Sequence, residues 1–202
     1  MKVQEISWWE IGLAWVAASF FGICAGVAAG GFVNETIWNI GSRPSGGDSF
    51  ITNPVERMLV IGLCLGFCVG ISEWFVLPQL SPWWILASTV GWGVGLLSAE
   101  KIGGLVEFRG VILGTIIGIV EWFLFRRYVP AAYWWIPAHA LGGLAFALVG
   151  WLPPNLMAGN LLASPLSYAE LGIATGSFTA IALVWLSRLP FDLRKLDEDQ
   201  TG

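Results

Sequence analysis

The chain has 202 residues, of which 56% are hydrophobic, 14% aromatic and only 12% charged, and its mean hydropathy is +0.72. Soluble domains carry about 25% charged residues, so this composition excludes an ordinary soluble domain and is typical of an integral membrane protein. A net charge of −4 with no Lys/Arg cluster larger than a pair excludes a nucleic-acid-binding protein. Three cysteines are too few for a disulfide scaffold.

Six apolar segments are candidates for helices that cross about 30 Å of hydrocarbon. They cover residues 10–32, 58–77, 83–99, 110–125, 133–152 and 171–186. The third and fourth are at the short end of the required length, where hydropathy does not distinguish a span from a re-entrant segment. The segments do not alternate apolar and polar residues, as the strands of a membrane β-barrel would. The sequence therefore predicts an all-α, polytopic membrane protein with about six transmembrane helices. Pro137, inside the fifth segment, is a candidate for a helix kink.

These segments divide the chain into a bundle and two short ends. We expect a transmembrane bundle over residues 10–187, preceded by a cytoplasmic or interfacial segment 1–9 and followed by a charged tail 188–202. External loops are expected at 33–57 and 153–169. The apolar stretch 151–166 within the second loop is expected to lie in the membrane interface or to cap the bundle. The weak positive charge at the N-terminus argues against a cleaved signal peptide.

A threefold internal repeat is the strongest pattern in the sequence. The motif W-[VI]-x-A-[SH]-x-x-G begins at Trp15, Trp84 and Trp135, in the first, third and fifth segments. The second and fourth segments carry glycines four residues apart and then Glu-Trp-Phe, and the sixth keeps part of this pattern. The glycines are Gly62, Gly66, Gly70, Gly110, Gly114, Gly118, Gly172 and Gly176.

The repeat predicts three similar helical hairpins, formed by segments two and three, four and five, and six and one. Three such units that close through the first segment would form a bundle with pseudo-threefold symmetry about the membrane normal. Glycines at this spacing let helices pack closely in lipid, so we expect the glycine stripes at helix contacts. General membrane packing without any ligand also explains the stripes.

The two motifs together resemble those of a widespread, largely uncharacterised group of small bacterial multi-pass membrane proteins, G-x-x-x-G-x-x-[EQ]-W followed by W-[VI]-x-A-S-x-x-G. The resemblance covers most of the chain except its long loops. It implies a fold of packed hairpins and no particular reaction. It also implies that Gln is acceptable where Glu73 and Glu121 stand, and that His139 departs from the usual Ser.

Three ionisable residues lie inside the predicted spans, Glu73, Glu121 and His139. Insertion of an ionisable side chain at the centre of a membrane helix costs about 2.5–3.5 kcal/mol, so such residues usually have a role. Similar depth predicts the pairs Glu73 with Ser88 and Glu121 with His139, and the third unit offers Thr179 and Ser19. These six residues form the candidate intramembrane polar or ligand site.

Several roles are open to this site. Each Glu could accept a hydrogen bond from a tryptophan N–H or a serine hydroxyl and simply lock its hairpin. Alternatively, Glu121 with His139 could carry protons or bind a cation. His139 could also ligate the metal of a tetrapyrrole, but a single histidine is weak evidence for a metal site, and we predict none. No cofactor is identified by the sequence.

Catalytic motifs are absent from the sequence. It contains no P-loop, no dinucleotide-binding fingerprint, no HExxH and no Gly-x-Ser-Gly to accompany His139. The cysteines Cys24, Cys64 and Cys68 are expected to behave as small hydrophobic residues. We therefore predict that the chain is not an enzyme.

Lys and Arg are divided six to four between the two sides, which favours cytoplasmic ends in a cell membrane. This places Trp83-Trp84 and Trp134-Trp135 in the cytoplasmic interfacial belt. We predict a non-catalytic membrane module that binds a partner subunit, lipid, or a lipophilic ligand such as a pigment. The alternative is a small ion, proton or solute channel or transporter that uses Glu73, Glu121 and His139.

Overall fold

In the computed structural model, the residues described are 7–41, 54–78, 80–102, 105–129, 131–151 and 165–186. These residues form six α-helices and one 3-10 turn, Ala132–Trp134, and contain no strand. The helices are α1 (Trp8–Gly41), α2 (Pro54–Val76), α3 (Trp83–Ile102), α4 (Val106–Phe125), α5 (Trp135–Trp151) and α6 (Pro165–Leu186). The predicted all-α class is confirmed for the described part of the chain.

Three of the described helices are long and apolar enough to cross a membrane, over Trp8–Val33, Glu56–Val76 and Phe108–Phe125. Large apolar side chains on them are exposed, including Phe21, Phe67 and Phe123. Such an exposed apolar surface is stable when its solvent is the hydrocarbon of a bilayer. The chain is therefore a membrane protein.

Several helices extend beyond the apolar segments from which they were predicted. Helix α1 continues past Phe32 to Gly41, and α6 begins at Pro165 rather than at Leu171. Hydropathy marks where a helix leaves hydrocarbon, not where its backbone hydrogen bonds end, so polar residues such as Glu35 do not stop α1. Part of each predicted external loop is thus helical. Residues 1–6, 42–53, 152–164 and 187–202, with most of both loops and the tail, lie outside the described residues.

Pro137 lies in the first turn of α5, which begins at Trp135 and runs without interruption to Trp151. Proline is tolerated in the first turn of a helix because the N–H it lacks has little use there. The α-helix is therefore continuous through Pro137 and His139.

The helices pack around a closed ring. Each helix contacts the helices before and after it in the chain, and α6 packs against α1. The α2–α3 and α4–α5 connections, the start of α1 and the end of α6 all lie at one end of the bundle, which we call the turn end. Near the opposite end, Arg109 Nη1 lies 3.2 Å from Glu100 Oε2 and joins α3 to α4.

The glycine stripes lie where neighbouring helices touch. A Cβ atom added at Gly66 would lie 2.6 Å from Cα of Thr89, and one at Gly118 would lie 2.9 Å from Cα of Ile136. A Cβ at Gly114 would meet the carbonyl oxygen of His139. The other stripe glycines have equally close neighbours, and these are Gly62, Gly70, Gly110, Gly172 and Gly176. Only a residue without a side chain permits these separations.

We predict that Gly114→Ala lowers the free energy of unfolding by about 1–3 kcal/mol, because the added methyl group forces α4 and α5 apart. Gly31→Ala is the matched control, since Gly31 is helical and has nothing within 4 Å of its added Cβ. It should leave stability unchanged or raise it by up to about 1 kcal/mol. Denaturant titration in detergent micelles, followed by circular dichroism, measures both. Equal effects of the two variants would contradict the packing described here.

Candidate functional site

Three buried tryptophans meet at the centre of the bundle near the turn end. Trp15, Trp84 and Trp135 come from α1, α3 and α5, and their ring centroids are 6.1, 5.8 and 6.0 Å apart in the three pairs. All three pairs are edge-to-face, the arrangement that the quadrupole of an aromatic ring favours. We call these residues the tryptophan triad. It joins the three odd-numbered helices to one another.

Each triad tryptophan donates its indole N–H to a polar side chain on an even-numbered helix. The bonds run from Trp84 Nε1 to Glu73 Oε2 (3.2 Å), from Trp135 Nε1 to Glu121 Oε2 (2.9 Å) and from Trp15 Nε1 to Thr179 Oγ1 (3.0 Å). A buried N–H without an acceptor costs about 1–3 kcal/mol, so each bond holds its two helices in register. The tryptophan bond that the sequence allowed for each Glu is thus present at Glu73 and at Glu121, and Thr179 makes the equivalent bond between α6 and α1.

The two tryptophan pairs are split between the surface and the core, contrary to the prediction that both members lie in an interfacial belt. Trp83 is 62% exposed and Trp84 1%, while Trp134 is 47% exposed and Trp135 0%. Successive residues of a helix point about 100° apart, so one member of each pair faces outward and the other faces the centre. Hydropathy alone does not distinguish the two.

Glu73 is buried between three helices. Its Oε1 accepts a hydrogen bond from Ser19 Oγ on α1 at 3.1 Å, and its Oε2 accepts the bond from Trp84 on α3. The sequence had suggested Ser88 as its partner. Ser88 is also fully buried, but its hydroxyl has no hydrogen-bond partner. The serine that bonds Glu73 is therefore Ser19 on α1, not the predicted Ser88 on α3.

Glu121 and His139 lie together, as their spacing suggested. His139 Nε2 is 3.0 Å from Glu121 Oε2, and the two side chains are 7% and 1% exposed. This distance suits an ion pair when the imidazole is protonated, but the ring N–H is not aligned for a hydrogen bond. The imidazole also stands edge-on to Trp135, with centroids 5.2 Å apart. Glu121 therefore accepts a hydrogen bond from the uncharged indole of Trp135 and lies beside the imidazole of His139.

The third unit has no acidic group at the equivalent position. Thr179 Oγ1 accepts the bond from Trp15 and donates to the backbone carbonyl of Thr175 at 2.9 Å. A hydroxyl can donate and accept at once, so this position satisfies the indole without introducing charge. The two acidic side chains of the site therefore lie on α2 and α4.

Some polar capacity in the site is unused. Among the described residues, the buried atoms without a hydrogen-bond partner include Ser88 Oγ, Glu121 Oε1 and His139 Nε2. Ser88 and Glu121 occupy the same positions in the repeat as Ser19 and Glu73. Ser19 donates a hydrogen bond to Glu73, whereas Ser88 makes no such bond to Glu121. These atoms could bind a water molecule or a proton. Within the described residues, no three His, Cys, Asp or Glu side chains are grouped as a metal site would require.

The sequence suggested a tryptophan donor but did not identify which tryptophans belong to the site. The signal was present, because Trp15, Trp84 and Trp135 are the first residue of the same motif in all three copies. A large aromatic residue repeated at the membrane interface is equally well explained by contact with lipid headgroups. Only the helix rotation in the folded bundle separates the two explanations.

Comparison with family models, with curated proteins and with solved structures finds no match to this chain. The resemblance to a group of bacterial multi-pass proteins therefore stays a prediction, and the function of the site rests on its geometry.

We predict that Trp84→Phe lowers the free energy of unfolding by about 1–3 kcal/mol, because it keeps the aromatic ring and removes the N–H that Glu73 accepts. Trp83→Phe is the adjacent control and should change stability by less than about 0.5 kcal/mol, since Trp83 is exposed and makes no such bond to an acidic residue. Thermal or denaturant unfolding in the same detergent measures both variants. If the control proves as damaging as Trp84→Phe, the indole bond does not stabilise the hairpin.

Proposed function

We propose that this chain is a non-catalytic module of a membrane that binds lipid, a lipophilic ligand such as a pigment, or a partner subunit on its outer surface. All six helices would cross the bilayer as three hairpin units, α2 with α3, α4 with α5 and α6 with α1, around a pseudo-threefold axis. The observation that carries this proposal is the separation of the polar groups from the apolar grooves. Polar groups face one another at the centre, whereas apolar grooves open outward.

The contacts between the units support the threefold arrangement. A Cβ added at Gly22 would lie 2.7 Å from Cα of Val69. The corresponding distances are 3.3 Å for Gly91 to Ile117 and 2.9 Å for Gly142 to Thr175. The three glycines end the three copies of the same motif, so equivalent residues make equivalent contacts. The nearly equal spacing within the tryptophan triad agrees with this arrangement.

Three outward grooves support binding at the surface. They lie between α3 and α4, between α5 and α6, and between α1 and α6, with volumes of about 410, 300 and 650 Å³. Their walls are mostly apolar, and aromatic residues such as Trp83, Trp134 and Trp185 line them. Apolar grooves with aromatic rims suit acyl chains, flat lipophilic molecules or the apolar helix of a partner.

The centre of the bundle away from the turn end is unlike a conducting pathway. A cluster of buried apolar side chains fills it, including Ile23, Leu65, Trp92 and Leu113. An ion or a proton needs polar groups or water along its whole path. The polar site therefore has no polar continuation through this cluster, which favours binding over transport.

We predict that the full chain, purified in mild detergent from its own host, retains a lipid, a pigment or a second subunit, because its grooves are apolar and open outward. Native mass spectrometry with an absorption spectrum detects all three. Proteoliposomes of the same sample should show no proton or cation flux above that of empty liposomes. A bare chain that carries ions would contradict the proposed function.

One observation favours proton or cation transfer as the second candidate function. Glu121 Oε1 and Ser88 Oγ are buried without partners, and His139 lies beside the carboxylate. A titratable pair with spare acceptor capacity is the local chemistry that a proton-carrying site uses. The site would involve Glu73, Glu121 and His139.

The variant Glu121→Gln separates the two candidates. If the module only binds, Gln still accepts the Trp135 N–H through its amide oxygen, so flux stays at background and the free energy of unfolding changes by less than about 1.5 kcal/mol. Proton transfer instead requires wild-type flux that is lost in Glu121→Gln and in Glu73→Gln. The control is Glu100→Gln, which removes a carboxylate near the opposite end of the bundle. A pH-sensitive dye inside the liposomes measures the flux.

A further inference from the structure

The groove between α3 and α4 is apolar along its length and positively charged at its mouth. Its lining residues include Trp83, Leu86, Val90, Phe123 and Arg127, and none of the lining residues is acidic. Trp83 begins α3, and Arg127 lies two residues beyond the end of α4, so both stand at the turn end. Val90 lies seven residues farther along α3, which corresponds to about 10 Å of helix. The groove thus enters the hydrocarbon from the membrane interface.

A second guanidinium strengthens the charge at this mouth. The Cζ atom of Arg126 lies 4.8 Å from the ring centroid of Phe123, which lines the groove, and 5.0 Å from that of Trp122. Stacking on two rings holds this cation close to the mouth. Arg127 itself is exposed and lines the groove. Two adjacent cations therefore stand where an apolar cleft meets the interface.

The groove between α5 and α6 provides an internal comparison. It is lined by Trp134, Leu141, Ile181 and Trp185, which occupy the same repeat positions as Trp83, Val90, Phe123 and Arg127. Trp185 follows Thr179 by six residues, as Arg127 follows Glu121. Both grooves have an aromatic rim and apolar walls, but a neutral indole replaces the guanidinium at the second mouth. Charge is the main chemical difference between the two mouths.

We propose that the α3–α4 groove binds an anionic phospholipid, with an acyl chain along Leu86, Val90 and Phe123 and the phosphate at Arg127. A guanidinium presents paired N–H donors that match phosphate oxygens, and basic pockets between membrane helices bind anionic headgroups. A zwitterionic lipid brings its own cation to the mouth, so it gains less from two arginines. This proposal rests on the proposed function in one respect, that the outer grooves are binding surfaces.

The test is native mass spectrometry of the full chain, delipidated in mild detergent and titrated with phosphatidylglycerol or with phosphatidylcholine of the same acyl chains. We expect the first phosphatidylglycerol to bind more tightly than phosphatidylcholine. Arg127→Gln should weaken phosphatidylglycerol binding about fivefold and weaken phosphatidylcholine binding by a smaller factor. The matched control is Lys101→Gln, which removes one positive charge from an exposed residue at the other end of α3 and should not alter either affinity.

Equal affinity for the two lipids in the wild type would overturn the proposal, as would equal losses in Arg127→Gln and Lys101→Gln. Failure here is distinct from failure of the proposed function. A chain that conducts ions yet shows the Arg127-dependent lipid preference refutes the binding module and keeps the lipid site. A chain without flux that retains a subunit or pigment but shows no lipid preference keeps the binding module and refutes the lipid site.

Discussion

The hydrogen bond from a buried indole N–H to a side chain on the neighbouring helix is the interaction on which the rest of this bundle depends. Water cannot satisfy a polar group in the hydrocarbon, so an acceptor must come from another helix. Trp84 reaches Glu73 only because α2 and α3 approach closely at Gly66 and Gly70. The glycines set the separation of the helices, and the indole bond sets their register. Each is of little use without the other.

Repetition of this bond helps to explain how six helices form one closed ring. Each indole N–H bonds an acceptor on an even-numbered helix, and its ring packs against the other two rings at the centre. The triad then couples units that are far apart in sequence, from Trp15 to Trp135. Ser19 adds a second link between units through Glu73. The helices are therefore held together both by ring contacts and by the Glu73 carboxyl group, which accepts hydrogen bonds from α1 and α3.

The three indole bonds differ in their acceptor, which is a carboxyl group at Glu73 and Glu121 and a hydroxyl group at Thr179. The need to satisfy an indole N–H does not explain this difference. Thr179 shows that an uncharged side chain satisfies a triad tryptophan. Glu73 and Glu121 are therefore not required for the bond itself, although an ionised acceptor makes a stronger one. Glu73, Glu121 and His139 are all buried in the site, and His139 lies beside Glu121. Packing accounts for the indole bonds but not for Glu121 Oε1, which is buried without a hydrogen-bond partner.

The sequence allowed some of these features to be predicted because they depend on local spacing. Glycines four residues apart fall on one helix face, so the contacts of Gly62 or Gly114 followed from the period alone. The Glu121–His139 pair followed from similar depth in one hairpin. The Ser19–Glu73 bond did not follow, because it joins different units and depends on how the ring closes. The burial of Trp84 beside the exposed Trp83 depends on helix rotation, which apolar composition leaves open when nearly every residue is apolar.

A repeated architecture separates what the fold requires from what one copy has acquired. The first tryptophan recurs in all three copies of the motif, and each time it bonds a side chain of a neighbouring helix. Residues that differ at equivalent positions are not required for the contacts that close the ring of helices. Arg127 and Trp185 are such a pair, since both line a groove at the turn end and neither belongs to the central network. The shared core keeps the grooves alike in form, so a change of one side chain at the mouth alters what a groove can bind without disturbing the bundle.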